Sequence, residues 1–400
     1  MAPAPCPRLL TRPPPPCPWA PPSADLRRHT RGRGGRCRRR CAACGPGSLT
    51  CPSSARSRPT APMTWSSLPR IDLGRGVHFA PALLLAPMEG VTDPAFRGLI
   101  LDCNAAGSVG AACTEFLRVS QLALPARRIA EELGPARRDV PVGVQLMGND
   151  AALLAASAVH AASVGAAYVD LNFGCPAPRV FQHCAGSALL EDPPRLERLV
   201  AAVAAACPAP VTVKLRAGVR DDARLEELVQ RAEQAGAAAL TLHARLRIES
   251  YEHPADWSRI ARAVRATRIP VIGNGSADTP QRVDALFAAT GCAGVMVGRG
   301  ALQNPWLFED WRRARAGSPP RRRSPAAVFA WLREYAGRMQ ARGAPDRAAV
   351  GRLKQAAKAL ARSGLLPASD VLRKALRETD LEGFFAALGG ASGCPSMVPR

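Results

Sequence analysis

Residues 168–215 read YVDLNFGCPAPRVFQHCAGSALLEDPPRLERLVAAVAAACPAPVTVKL. An apolar run at 168–172 is followed by a polar turn, an amphipathic helical stretch at 193–206 and a second apolar run at 211–215. Strands that are largely apolar and are separated by helices are typical of parallel sheets buried on both faces. We therefore interpret this stretch as one β-α-β unit.

The same alternation extends along the chain on both sides of this unit. Strands are predicted at 82–86, 110–113, 142–146, 168–172, 211–215, 239–243, 271–274 and 294–298. Amphipathic helices are predicted near 150–164, 193–206, 222–235, 257–267 and 279–289. Eight such units between residues 82 and 308 match a (β/α)8 TIM barrel in number and length.

A doubly wound open sheet is the competing α/β fold. The turn after the first predicted strand, APMEG at 86–90, lacks the glycine-rich dinucleotide fingerprint of that fold. After a proline pair and three arginines at 319–323 the pattern becomes purely helical. We therefore predict a barrel over residues 63–318 and a small all-helical C-terminal domain over 325–390.

The first 62 residues differ in composition from the rest of the chain. They hold 14 of the 38 prolines and six of the 13 cysteines, without apolar periodicity, so a disordered tail is predicted. The spacing of Cys37, Cys41, Cys44 and Cys51 would suit a zinc site. The interpretation we favour is translated upstream DNA with the true start at Met63, and no metal site is assigned.

Charge and composition limit the possible functions. The net charge is +22, and half of it lies outside the tail, which favours a polyanionic partner such as RNA. The most apolar stretch, 199–213, is too short for a membrane span and contains two prolines. The seven other cysteines lack paired spacing, which indicates a reducing cytoplasm. We predict a cytoplasmic protein with no membrane association and no obligatory protein partner.

Lys214 is the most informative single residue. It is the only lysine among the first 353 residues, and it interrupts an apolar predicted strand, where a charge is costly. A structural barrel lysine would pair with a neighbouring carboxylate. We favour the other reading, in which the cation faces an electron-rich ring or a phosphate.

Other candidate site residues follow the carboxyl ends of predicted strands, where barrels hold their active sites. Cys175 lies in a tight turn between a glycine and a proline, which favours exposure to the site over burial. The glycine turns at 274–275 and 298–300 offer backbone N–H groups where barrels usually bind phosphate. His243 ends the sixth strand and is assigned to the site.

These residues belong to ordered motifs that resemble the tRNA-dihydrouridine synthases. The motifs are APMEGVTD at 86–93, Gln145-Leu146, Asn172-x-Gly174-Cys175-Pro176, Val213-Lys214-x-Arg216, His243-x-Arg245, Asn274-Gly275 and Gly298-Arg299-Gly300. Glu89 and TEFLRV at 114–119 resemble the bacterial C subgroup, which acts on uridine 16 of the D-loop. The resemblance runs from about Leu83 to Phe308, with a weaker match at 352–355.

The resemblance implies an FMN-dependent enzyme that uses NADPH or NADH to reduce a uridine in tRNA. Implied FMN contacts are Pro87, Met88, Glu89, Gln145, Lys214, His243, Asn274, Gly275, Ser276, Gly298 and Arg299. Lys214 would stabilise the reduced flavin. Cys175 would be the general acid that protonates C5 of uracil after hydride reaches C6. Implied tRNA contacts are Asn172, which would bind the uracil, and Arg118, Tyr251, Arg352 and Lys354.

Two alternatives stay open. One is an FMN barrel oxidoreductase acting on a small pyrimidine, which would resemble dihydroorotate dehydrogenases. The other is a non-catalytic tRNA-binding protein. The chain also departs from the family pattern at 182–184, where Gln-His-Cys replaces small residues and adds a second thiol near Cys175.

Overall fold

The computed structural model describes residues 68–137, 139–367 and 369–389. Its strands are β1 (Ile71–Asp72), β2 (His78–Phe79), β3 (Leu83–Leu85), β4 (Ala111–Cys113), β5 (Leu117–Arg118), β6 (Val142–Met147), β7 (Val169–Phe173), β8 (Val211–Arg216), β9 (Ala239–His243), β10 (Val271–Asn274) and β11 (Gly294–Val297). The predicted tail, with its candidate zinc cysteines, lies outside the described residues.

The helices of the described residues follow most of these strands. They are α1 (Pro94–Cys103), α2 (Ala126–Leu133), α3 (Ala151–Ser163), α4 (Pro178–Gln182), α5 (Pro193–Ala206), α6 (Leu225–Gln234), α7 (Ser258–Ala266), α8 (Pro280–Thr290), α9 (Arg299–Gln303), α10 (Leu307–Arg315), α11 (Pro325–Ala341), α12 (Asp346–Arg362), α13 (Asp370–Ala375) and α14 (Leu381–Gly389). A 3-10 helix, Gly186–Glu191, follows α4. None of these helices is both long and apolar enough to cross a membrane.

Eight parallel strands, β3, β4 and β6 to β11, close into a barrel. The last strand pairs with the first, with Val295 opposite Leu83. The short β5 pairs with β6 beyond the point where β4 pairs with the same strand. The predicted (β/α)8 barrel is confirmed, and the chemistry-bearing strand ends meet at one mouth.

Alternate residues of each strand face opposite sides of the barrel wall. On β8, Val213 and Leu215 pack in the main core, which includes the surrounding helices. Thr212, Lys214 and Arg216 alternate with them and face the barrel interior, where Thr212 bonds to a side chain of the neighbouring strand. The interior near the mouth is therefore polar, although the strands read as apolar in sequence.

The antiparallel pair β1 and β2 covers the opposite end of the barrel, and sequence analysis did not predict it. Ile71 and Phe79 pack in a cluster with inward-facing residues at the amino ends of the barrel strands. Arg75 in the connecting turn donates to the carbonyl of Cys207, at 2.6 Å, just before β8. Two strands of two residues each leave little periodicity to detect.

The C-terminal helices pack on the barrel through α11, which contacts the barrel helix α1, and through α12, which contacts α9. Phe96 of α1 makes edge-to-face contacts with Trp331 and Tyr335 of α11, with ring centroids 6.1 and 5.6 Å apart. Trp306, between α9 and α10, contacts Trp331 at 6.4 Å. The main buried cluster runs continuously from the barrel helices into the C-terminal helices.

Phe96 should therefore be a major stabilising residue. Its side chain is fully buried, and replacement of a buried phenylalanine by alanine typically costs about 3–5 kcal/mol. We expect Phe96→Ala to lower the free energy of unfolding by that amount in urea denaturation. Leu122→Ala, at an exposed position, is the control and should change it by less than about 0.5 kcal/mol. Equal effects of the two variants would contradict this assignment.

Candidate active site at the carboxyl mouth of the barrel

A cavity of about 630 Å³ opens at the carboxyl ends of the barrel strands. It brings together all of the predicted cofactor residues: Pro87, Met88, Glu89, Gln145, Lys214, His243, Asn274, Gly275, Ser276, Gly298 and Arg299. The predicted acid Cys175 and two predicted substrate residues, Asn172 and Tyr251, line the same cavity. These residues come from seven of the eight barrel strands or their following loops.

Three residues predicted to contact tRNA lie outside this cavity. Arg118 is exposed on β5, and Lys354 is half-buried on α12. Arg352 of α12 points toward the barrel, with Nη1 3.1 Å from Asp93 Oδ2 and 3.7 Å from Glu115 Oε1. These ion pairs connect the C-terminal helices to two loops at the barrel mouth.

Asn172 shapes the turn that carries Cys175. Its Oδ1 accepts hydrogen bonds from the backbone N–H groups of Gly174 and Cys175 at 2.9 and 3.0 Å. Ser187 then holds the far side of the turn, because its hydroxyl donates to the carbonyl of Cys175 at 2.7 Å. Cys175 lines the cavity, but the prediction of exposure over burial is wrong, because Met147, Val180 and Ala185 pack around its side chain. This burial raises its pKa. The thiol is therefore protonated near neutral pH.

Lys214 lies on β8 opposite Asn172 of β7 in the strand register. Burial, together with the nearby charge of Arg216, lowers the pKa of Lys214 to about 8. The site therefore holds a lysine that is cationic at neutral pH and titrates just above it. Burial also lowers the pKa of His243, and the cations Lys214 and Arg216 add to that effect, so this imidazole is neutral.

The loops after β10 and β11 form a cradle suited to an anion. Gly275 has a φ of 119°, and a Cβ there would come within 2.9 Å of Ala255 Cβ, so only glycine fits. Ser276 also has a positive φ, of 58°. Gly298 precedes Arg299 at the start of α9 on the other side of the cavity.

Arg245 brings a buried cation to this cradle. It is 2% exposed, and its Nη2 donates to Ser276 Oγ at 3.1 Å and to the carbonyl of His253 at 2.5 Å. Its Nε and Nη1, like His243 Nδ1, are buried without a hydrogen-bond partner among the described residues. Buried polar groups are normally paired, so these orphaned atoms indicate a ligand at this position.

Tyr251 stands at the mouth within a group of arginines. Its ring lies 4.5 to 5.5 Å from the guanidinium carbons of Arg216, Arg245 and Arg299. Its hydroxyl accepts a hydrogen bond from Arg216 Nη2 at 2.6 Å. The side chain remains 47% exposed, which leaves part of the ring available to a ligand.

Sequence analysis gave no role to three residues that organise this site, although Arg216 and Arg245 stand in the family motifs. Arg216 donates to the carbonyls of Gly174 and Leu246, at 2.9 Å in each case, and so links the Cys175 turn to the Tyr251 loop. Arg245 and Asp170 are the other two. All three are charged residues within or directly after apolar strands, the signal that identified Lys214, and it could have been applied to them.

The described residues contain no cluster of histidine, cysteine or acidic side chains suited to hold a metal ion.

Together, the fold and the site define a (β/α)8-barrel protein with an anion cradle, a buried lysine and a protonated thiol at one mouth. Comparison with known families matches residues 84–383 to the dihydrouridine synthase family. The chain belongs to this family.

Individual relatives match more than half of this chain. The chain is 41% identical over 245 residues to a protein of Cupriavidus necator named tRNA-dihydrouridine(16) synthase. The aligned region is 59% of this chain and 75% of the relative. A Pseudomonas putida protein of the same name is 36% identical over 74% of this chain and 93% of its own length. A Pseudomonas syringae protein named tRNA-dihydrouridine synthase B is 38% identical over 57% of this chain and 67% of its own length.

Proposed function

We propose that this protein is a tRNA-dihydrouridine synthase that reduces the C5–C6 double bond of a D-loop uridine, at position 16, with NADPH and FMN. The observation that carries the proposal is one cavity in which a protonated thiol, a buried lysine and an anion cradle meet. Relatives named for position 16 support the choice of uridine.

The cavity residues fit FMN. The unpaired Nε and Nη1 of Arg245 and the turn at Gly275 and Ser276 suit a phosphate, because they offer N–H donors and positive charge. Gln145 and Lys214 would meet the ring system, and Lys214 would supply a cation where negative charge develops. When bound, FMN supplies hydride transfer between the nicotinamide reductant and the uracil.

Cys175 would supply the proton that completes uracil reduction. Addition of hydride at C6 leaves negative charge on C5 and O4, which must be neutralised by an acid near C5. The raised pKa keeps the thiol protonated, and the turn fixed by Asn172 holds it at the cavity wall. Asn172 would also donate its second amide hydrogen to a uracil oxygen.

The rim of the cavity suits a base that leaves an RNA stack. Enzymes that modify a base extrude it into a pocket and stack it on aromatic or guanidinium groups. The exposed ring of Tyr251 and the exposed Arg118 would meet such a base and its flanking phosphates. Lys354 of α12 would extend the contact to the C-terminal helices.

The test is a tRNA-dependent oxidation assay. The purified holoprotein should oxidise NADPH when supplied with tRNA lacking dihydrouridine, and the product should carry dihydrouridine at position 16. Reduction of orotate or free uracil without tRNA would indicate instead a small-pyrimidine oxidoreductase. A colourless protein that binds tRNA and takes up no FMN would overturn the enzymatic assignment altogether.

The cradle allows a separate test of FMN binding. Arg245→Met should weaken FMN affinity by about 10- to 100-fold, because hydrogen bonds to charged groups contribute about 1.5–3 kcal/mol. Riboflavin, which lacks the phosphate, should bind the variant and the original protein equally in a fluorescence titration. Arg268→Met, at a side chain that is 98% exposed, is the control and should bind both ligands normally. Equal loss of both flavins would contradict a phosphate role.

A further inference from the structure

A buried row of polar side chains lies beneath the site described above. Gln145, Asp170 and Thr212 are opposite one another on β6, β7 and β8. Asp170 is 3% exposed and accepts from Thr212 Oγ1 at 2.6 Å and from Gln145 Nε2 at 2.7 Å. Asp170 makes no ion pair within the described residues. Burial raises the pKa of its carboxyl, while the hydrogen bonds from Thr212 and Gln145 and the charge of Lys214 act in the opposite direction and favour the carboxylate.

Further hydrogen bonds connect this row of side chains to the turn that carries Cys175. Gln145 Oε1 accepts from Asn172 Nδ2 at 2.8 Å, and Asn172 Oδ1 accepts from the N–H groups of Gly174 and Cys175. The chain of hydrogen bonds therefore runs from Thr212 through Asp170, Gln145 and Asn172 to the turn that carries the thiol.

The direction of every bond in this chain is determined by its two ends. As a carboxylate, the form that these hydrogen bonds favour, Asp170 can only accept, so the Gln145 amide turns its nitrogen toward Asp170 and its oxygen toward Asn172. Backbone N–H groups can only donate, so Asn172 must turn its oxygen toward the Cys175 turn. The acceptor at Asp170 and the backbone donors at the Cys175 turn therefore require the same orientation of the Gln145 and Asn172 side-chain amides.

This orientation decides what the cavity wall offers to a ligand. The side-chain oxygens of Gln145 and Asn172 both accept hydrogen bonds from other members of this hydrogen-bond chain. Each side-chain nitrogen uses one hydrogen within it and has a second hydrogen available to donate. Gln145 and Asn172 both line the cavity. Their wall therefore presents donors, which matches a ligand edge rich in carbonyl oxygens, such as that of a pyrimidine dione.

We propose that Asp170 is the positioning residue of this site: its carboxylate orients the Gln145 and Asn172 amides, and through Asn172 it holds the turn of Cys175. The kinetic part of the test rests on the proposed function. Asp170 is not placed in contact with substrate or cofactor, and it acts through the two amides.

Two substitutions of similar size separate this role from simple packing. Asp170→Leu removes the acceptor and frees Gln145 to rotate, whereas Asp170→Asn keeps one acceptor oxygen. We expect tRNA-dependent flavin oxidation to slow by about 100-fold in Asp170→Leu and by about 10-fold in Asp170→Asn, because small misplacements of reacting groups cost rates of this order. In each variant, the fold-decrease in the rate of flavin reduction by NADPH should be at least ten times smaller than the fold-decrease in the rate of the tRNA step.

Tyr168→Phe is the matched control for loss of a buried barrel hydrogen bond. The Tyr168 hydroxyl donates to the carbonyl of Ala112 at 2.9 Å, and its ring packs in the cluster at the opposite end of the barrel. This variant should lower the thermal unfolding midpoint and leave both half-reactions unchanged. Equal kinetic losses in Tyr168→Phe and Asp170→Leu would reduce Asp170 to a structural role.

A second readout needs neither flavin nor tRNA. In a Cys184→Ala background, alkylation of Cys175 by iodoacetamide can be followed by mass spectrometry. Because Asn172 would no longer be oriented, Asp170→Leu should speed this alkylation about tenfold, whereas Asp170→Asn and Tyr168→Phe should change it little. Unchanged alkylation in Asp170→Leu would overturn the proposal.

If the Leu variant does not fold, a rate of tRNA reduction in Asp170→Asn equal to that of the original protein would also overturn the proposal. An original protein inactive on tRNA would refute the proposed function but leave the alkylation test intact.

Discussion

Cys175→Ala should slow uridine reduction in tRNA by about 100- to 10,000-fold, the usual contribution of a positioned general acid. The thiol lines the cavity, its raised pKa keeps the proton in place, and two backbone hydrogen bonds to Asn172 fix its turn. Flavin reduction by NADPH should be almost unchanged, since that half-reaction takes no proton from the thiol. Stopped-flow absorbance of the bound flavin measures the two half-reactions separately.

Cys184→Ala is the matched control, because Cys184 lies nine residues further along the chain and is not among the residues that line the cavity. It should leave both half-reactions within about twofold of the original rates. If Cys184→Ala stopped dihydrouridine formation and Cys175→Ala did not, the acid would have been assigned to the wrong thiol.

Lys214→Ala should weaken FMN binding and slow flavin reduction, each by about 10- to 100-fold, because it removes the cation that β8 places in the cavity. Flavin content after purification and single-turnover reduction by NADPH measure the two effects. Lys358→Ala, on the exposed face of α12, is the control for loss of a lysine charge and should match the original protein. Full flavin content with normal reduction in Lys214→Ala would refute this role.

The same lysine predicts a pH dependence. With a pKa of about 8, Lys214 is mostly cationic below pH 8 and loses its proton as the pH rises through that value. Flavin reduction should therefore be fastest at neutral pH and decline above pH 8. In Lys214→Arg the charge persists at higher pH, so the decline should disappear, even if the absolute rate is lower. A profile that is identical in the two proteins would assign the titration to another group.

Much of the fold is readable from the sequence because each barrel strand buries an apolar face against helices. The predicted strands at 211–215 and 239–243 correspond to Val211–Arg216 and Ala239–His243. The predicted helix at 193–206 is observed as Pro193–Ala206. Since parallel strands in a closed barrel all point the same way, their ends identify the mouth, and with it the neighbourhood of Lys214 and Cys175.

Residues that work through distant partners could not be assigned in the same way. Arg352 matched a family motif for tRNA contact, yet its nearest charged partners are Asp93 and Glu115, more than 200 residues earlier in the chain. Whether it also contacts tRNA stays a prediction. The strands β1 and β2 were missed for a related reason, since their stability comes from packing under the barrel and their sequence has little periodicity.

Local periodicity and strand order are enough to predict the barrel, its active end and the chemical types available there. Which polar groups pair with one another depends on the folded barrel. The hydrogen bonds that Asp170 accepts from Gln145 and Thr212 join residues 25 and 42 positions apart. Such partners are selected by the register between neighbouring strands, and a hydrogen bond requires the donor and acceptor to meet within about 3 Å. That distance is set by the pairing of strands that are far apart in the sequence, which no local stretch of sequence encodes.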